Sequence, residues 1–309
     1  MKSDVQSRLK SVLTGGGFAV TAECGPPRGA NANVIYKKGE LLKGCVDAVN
    51  VTDNQTAVVR MSSLAACLHL LELGVEPVMQ MVTRDRNRIA LQSDIMGAYS
   101  LGIRNLLCLS GDHQSLGSQP EAMNVFDIDS VNLLHAVRTM RDEGEDMSGF
   151  TLNDAPKMFI GAAENPFADP LAYRVVRLAK KIAAGADFIQ TQCVFNLPRF
   201  KEWMRMACEE GLTEKVYIMA GITPLKSAKM AQFMATKVAG MDMPESVIKR
   251  MSGVTGSAAV EEGQKIALET IAELRIIPGV RGIHIMAIEA EERVPELVRA
   301  AGLLPRSQK

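Results

Sequence analysis

The chain has 309 residues, 47% of them hydrophobic, and its 35 Lys+Arg are balanced by 35 Asp+Glu. That is enough apolar material for one large α/β domain or two ordinary ones, and the absence of a basic surplus gives no support to a nucleic-acid partner or an anionic membrane surface. The opening "MKSDVQSRLK" lacks a signal-peptide core, no apolar run approaches the ~20 residues of a bilayer span, and the six cysteines form no C-x-x-C pair or Cys/His cluster. A cytoplasmic protein without a disulfide framework or a metal site is expected.

Short apolar runs suited to buried strands follow in order at 18–24, 46–52, 77–83, 105–111, 157–164, 187–193, 215–221 and 282–288. Helical spacing fills most intervals, at 58–73, 88–101, 126–143, 170–184, 198–210, 224–236 and 289–303. Gly74, Gly102, Gly185 and Gly282 read as helix C-caps. Eight strands alternating with helices predict parallel strands closed into a (β/α)8 TIM barrel. The interval 222–281 is too long for one helix and predicts extra helices before the last strand, at 243–251 and 257–274. No Pro/Ser linker or composition shift divides residues 1–309, which read as a single domain.

In such a barrel the chemistry lies at the C-terminal ends of the strands. The polar residues expected there are Glu23, Thr52, Gln80, Thr83, Asp112, His113, Glu164, Thr191, Gln192 and Glu289. Glu23, in "TAECGPPRG", is either a strand-end carboxylate in water or paired with Arg28, or a general acid whose proton is held by apolar surroundings. Asp112 either caps a turn or faces the site. A Gln at position 192 suits the edge of a heterocycle, because its amide both donates and accepts. His113, next to Asp112, is expected to face solvent. Arg174, Arg177 and Lys181 share one helix face, as a solvated stripe or as a holder of nucleotide phosphates. No Walker A loop or helix-opening G-x-G-x-x-G is present.

"AECGPPR", "NVT" at 50–52, "LLCLSGD", "AGADFIQTQ" and "MAGITPL" occur in the order and rough spacing of the barrel-tip segments of the methylenetetrahydrofolate reductase family, which the chain resembles over residues 18–225. The resemblance implies a barrel holding a noncovalent flavin, FAD or FMN, whose reduced form delivers hydride to the one-carbon unit of 5,10-methylenetetrahydrofolate. It implies Glu23 as the general acid and Asp112 as the carboxylate beside pterin and flavin. Gln192 with Thr191 would meet the folate. The flavin would be lined by Thr52, Gln80, Ser110, Gly111, Asp112, Ala162 and Glu164, with Arg177 and Lys181 at its phosphate. The electron donor would be NAD(P)H or an iron-sulfur partner subunit, and an oligomer is expected.

The chain also departs from the family pattern. Gln80 stands where many relatives have His, Glu164 where they have an aromatic residue in the flavin site, and Ala168 and Ala228 where they have His and an aromatic residue. These departures keep FMN open beside FAD. Two alternatives stay beside the reductase: a pterin-binding barrel of the methyltransferase type, and a flavin-carrying subunit active only with an electron-transfer partner.

Overall fold

A computed structural model describes residues 6–306 of the chain. The residues 1–5, part of the opening segment read above as lacking a signal-peptide core, lie outside the described residues. Among the described residues, no helix is long and apolar enough to cross a membrane.

Eight parallel strands close into a barrel in sequence order, with the eighth pairing to the first. In chain order the elements are α1 (Arg8–Thr14), β1 (Ala19–Cys24), α2 (Asn33–Leu42), β2 (Ala48–Val51), α3 (Ser63–Glu72), β3 (Pro77–Val82) and α4 (Arg88–Ser100). β4 (Asn105–Leu109), α5 (Ser130–Arg138), β5 (Phe159–Glu164), α6 (Leu171–Ala184), β6 (Phe188–Cys193), α7 (Leu197–Glu209) and β7 (Tyr217–Ile222) follow. The chain then runs through α8 (Ala228–Lys237), α9 (Glu245–Ser252) and α10 (Gly256–Leu274) before β8 (Val280–Ile285) and α11 (Val294–Ala300). The expected TIM barrel with extra helices before its last strand is therefore the observed architecture.

Strand side chains alternate between two environments. Val20, Ala22, Val49, Val51, Leu106, Cys108, Ile160 and Ala162 join the helices in the outer core. Ala19, Ala48, Val78, Leu107, Phe159, Phe188 and Met219 form the inner core together with Leu9 and Leu13 of α1, which plugs the bottom of the barrel. The start of that helix is pinned: Glu76 accepts the Arg8 and Leu9 amides at 2.6 and 3.0 Å.

Above the inner core the lumen turns polar. The Asn50 and Gln190 amides pair reciprocally at 2.7 and 3.1 Å, and Gln190 Nε2 also donates to Thr21 Oγ1 at 3.2 Å. The change from apolar plug to hydrogen-bonded layer to open rim sets which end can carry chemistry.

One expected helix cap is corrected. Gly282 lies inside β8, where a Cβ would come within 2.4 Å of the Ala19 carbonyl oxygen, so it is a close-approach glycine between adjacent strands.

Candidate active site

Glu23 sits near the top of β1, where three cavities meet. Its side chain is 20% exposed. Burial, reinforced by the negative charge of Glu291, pushes its carboxyl up to about 7; Lys38 and a hydrogen bond from Gln80 oppose the shift. Arg28, the partner considered for it, is exposed.

The first cavity, about 370 Å³, is bounded by Glu23, Thr52, Gln80, Ser110, Gly111 and Asp112, with Gln55 and Leu109 also on its wall. Gly111 has φ +87°, the left-handed backbone that turns the chain after β4 and leaves Asp112 at the cavity. Asp112 Oδ2 accepts the Thr56 amide at 3.0 Å. Arg84 staples the loops after β2, β3 and β4: its guanidinium donates to the carbonyls of Asp112 and Asn54 and to the Asp85 carboxylate. Asn54, Thr56 and Ala57 all have positive φ, and such strained non-glycine backbone clusters where a loop is held for function. Thr52 Oγ1 and Gln55 Oε1 are buried without hydrogen-bond partners, which leaves them free for a polar ligand edge. His113 is exposed, as expected, and its Nδ1 lies 2.9 Å from Ser115 Oγ.

The second cavity, about 380 Å³, shares Glu23, Gln80 and Leu109 and adds Glu164, Thr191, Gln192, Arg174, Arg177 and Lys181. Lys181 is not free there. Its Nζ lies 2.7 Å from Glu164 Oε2 and also donates to the Ala163 carbonyl at 2.5 Å, with side chains only 7% and 1% exposed. Burial lowers the Lys181 pKa, and the adjacent carboxylate opposes that shift. By contrast, neither Arg174 nor Arg177 has an ion-pair partner among the described residues, and Arg174 Nε is buried without a hydrogen-bond partner. The cations available to an anion at this rim are therefore the two arginines. Thr191 Oγ1 accepts the Gly221 amide at 3.0 Å, and Gln192 Oε1 accepts the Cys193 amide at 2.9 Å. Ala162 faces the outer core, while its neighbour Ala163 lines the cavity.

Three residues that sequence reasoning passed over complete the surroundings of Glu23. His284, within β8, is buried in the lumen, and its Nε2 lies 4.0 Å from Glu23 Oε2. Burial pushes its imidazole down to about 3, so it is neutral. Its Nδ1 lies 2.9 Å from the Thr21 hydroxyl, which also accepts from Gln190 Nε2. The other two, Lys38 and Glu291, form an ion pair at 2.5 Å on the wall of the third cavity. They are 253 positions apart, so no local pattern could join them.

The arrangement brings a half-buried acid with a raised pKa, an exposed carboxylate and two guanidinium groups without ion-pair partners among the described residues to one mouth. It can protonate a leaving nitrogen, face a developing cation and hold an anionic group at a distance from both.

The methylenetetrahydrofolate reductase family model matches residues 8–302. The chain is 25% identical over 294 residues to a protein of Caenorhabditis elegans named probable methylenetetrahydrofolate reductase (NADPH), covering 90% of this chain and 41% of the relative. It is 22% identical over 226 residues to the 5,10-methylenetetrahydrofolate reductase of Buchnera aphidicola, covering 71% and 68%. The chain spans about two fifths of the length of the first curated relatives it matches. A Clostridium thermocellum protein described as binding two copies of 5-methyl-5,6,7,8-tetrahydrofolic acid shares the fold, with a TM-score of 0.65 at 14% identity over 95% of this chain and all of that one.

Proposed function

The chain belongs to the methylenetetrahydrofolate reductase family, and from that premise we propose that it reduces 5,10-methylenetetrahydrofolate to 5-methyltetrahydrofolate with a noncovalent flavin at the barrel mouth. The observation that carries the reading is Glu23: an acid still protonated near neutral pH, standing where two cavities of similar volume meet.

The residues present fit a flavin. Thr52 Oγ1 and Gln55 Oε1 are polar atoms without partners on the wall of one cavity, Leu109 supplies an apolar surface shared by both, and Arg174 and Arg177 offer charge for a phosphate in the other. Thr52, Gln80, Ser110 and Gly111 would hold the ring system, and Arg177 with Arg174 would meet the phosphate in place of the neutralised Lys181. A bound flavin supplies the reducing equivalents. Glu23 donates its proton to the nitrogen that leaves the one-carbon bridge of the imidazolidine ring, which opens the ring to a cation. Asp112, held by Thr56 and kept at the rim by the turn at Gly111, faces that cation with a fixed negative charge. Thr191 and Gln192 flank the folate. His284, neutral and buried, shields the acid from below without adding charge.

A second reading keeps the folate and omits the flavin, as in a methyltransferase-type pterin barrel. The Glu164–Lys181 pair favours it, because it withdraws one of the cations expected at a cofactor phosphate. Titrating the purified protein with FMN, FAD and 5-methyltetrahydrofolate separates the two. The reductase predicts saturable quenching of flavin fluorescence and a separate folate isotherm; folate binding with no flavin binding would select the second reading.

A further inference from the structure

The third cavity, about 190 Å³, lies on the side of Glu23 away from Arg174 and Arg177. Its wall carries Gly25, Pro26 and Pro27 from the turn after β1, Lys38 from α2, and Glu289 with Glu291 from the segment after β8. Lys38 Nζ makes two contacts there: 2.5 Å to Glu291 Oε1 and 3.2 Å to the carbonyl oxygen of Gly25, two residues beyond Glu23. Both side chains are largely withdrawn from water, at 22% and 9% exposure. A pair so placed joins the segments that follow the first and last strands of the barrel, and it does so on a cavity that Glu23 also lines.

We propose that the Lys38–Glu291 ion pair is a positioning couple for Glu23: it fixes the turn that carries the acid and presents a balanced charge to its carboxyl. The inference rests on the role given to Glu23 in the proposed function, but concerns residues outside the expected folate and flavin contacts.

The physical case is one of compensation. A lone carboxylate at position 291 would repel a charge on Glu23, and a lone ammonium at position 38 would draw it out; held at contact distance, the two act on Glu23 in opposite senses. Consistent with this, Glu291 raises and Lys38 lowers the Glu23 pKa, while burial sets most of its elevation. His284 of β8 faces Glu23 at 4.0 Å and is neutral, and Gln80 of β3 is uncharged. Arg60 and Glu289 line the same cavity, and Arg60 donates to the Pro26 carbonyl at 2.9 Å. On β6, the Cys193 thiol is pushed up to about 12 by burial, and Cys24 beside Glu23 behaves alike, so both stay neutral. Across the other cavities stand the Asp112, Asp53 and Arg84 group and the Glu164, Lys181, Arg174 and Arg177 group. None of these belongs to the third cavity apart from Arg60 and Glu289.

The test is a carboxyl titration of Glu23 by NMR in protein carrying carboxyl-labelled glutamate, with E23Q identifying the signal; it needs neither flavin nor folate turnover. E291Q is expected to lower the Glu23 midpoint by about one pH unit and K38M to raise it by about as much. K38R, which keeps the pair, should titrate as the native protein does. The double variant K38M/E291M, which keeps bulk and removes both charges, should return close to the native midpoint. Midpoints that stay at the native value in both single variants, or that move in the same direction in both, would overturn the proposal. The expected shifts in a protein that fails to reduce methylenetetrahydrofolate would leave the pair's role standing and remove the proposed function instead.

Discussion

Glu23 has opposed consequences for activity and stability, and one substitution separates them. In the folded chain its pKa is about 7, against 4.5 for an ordinary glutamate, so the folded state holds the proton more tightly than the unfolded one. Its contribution to stability is fully present below pH 4.5, falls as pH rises toward 7, and stays lost above. E23Q removes the ionisable group. By urea unfolding it should match the native protein at pH 4 and exceed it by roughly 2–3 kcal/mol at pH 8. The same variant should lose about 10²- to 10⁴-fold in folate turnover. Equal stability at both pH values would show that Glu23 is not held protonated. Lys181 and Arg177 separate in the opposite sense. K181M leaves Glu164 buried without its partner and should cost about 3–5 kcal/mol of stability. R177A, whose guanidinium is in no ion pair among the described residues, should leave unfolding near native and weaken flavin binding about tenfold by fluorescence titration. At this scale sequence legibility was uneven. Glu23 and Asp112 stand out as carboxylates at the tips of apolar strands, whereas the engagement of Lys181 depends on a side chain 17 positions away across a β–α connection.

The β-strands were the most readable elements because both faces are buried: Leu106 and Cys108 turn to the helices while Leu107 faces the lumen, so "LLCL" reads as a continuous apolar run. The same double burial hid the polar lumen layer, since Asn50 and Gln190 are single polar residues within otherwise ordinary strands. α1 and α2 were missed. The first is only 7 residues long, and the second buries just Ile35, Gly39 and Leu42, too sparse a stripe to mark a helix. Both matter: α2 supplies Lys38, and α1 closes the barrel floor. L9A in that floor should cost about 2–5 kcal/mol in urea unfolding. It should also leave the pH dependence of stability contributed by Glu23 unchanged, because the plug and the acid lie at opposite ends of the lumen. A changed pH dependence would mean that the floor and the rim are one mechanical unit.

Across the whole molecule, closure of the sheet does what no segment can do alone. It brings Glu23 from the first strand, Asp112 from beyond the fourth and Arg177 from the helix after the fifth to one mouth, and joins Lys38 to Glu291 across most of the chain. The count of eight strands made this closure legible in advance, because it fixes which ends converge; side-chain pairing across the mouth was not, because it depends on distances that sequence order does not encode. The proposed reduction uses the mouth as a unit, with an acid at its centre, a carboxylate on one flank and an anion holder on the other. Its most direct test is a single anaerobic turnover. Protein loaded with reduced flavin is mixed with 5,10-methylenetetrahydrofolate, and flavin reoxidation is followed alongside chromatography of the folate. One 5-methyltetrahydrofolate formed per flavin reoxidised, with the reaction strongly slowed in E23Q, is the predicted result. Flavin bound and reduced, substrate bound, and no 5-methyltetrahydrofolate formed would contradict it.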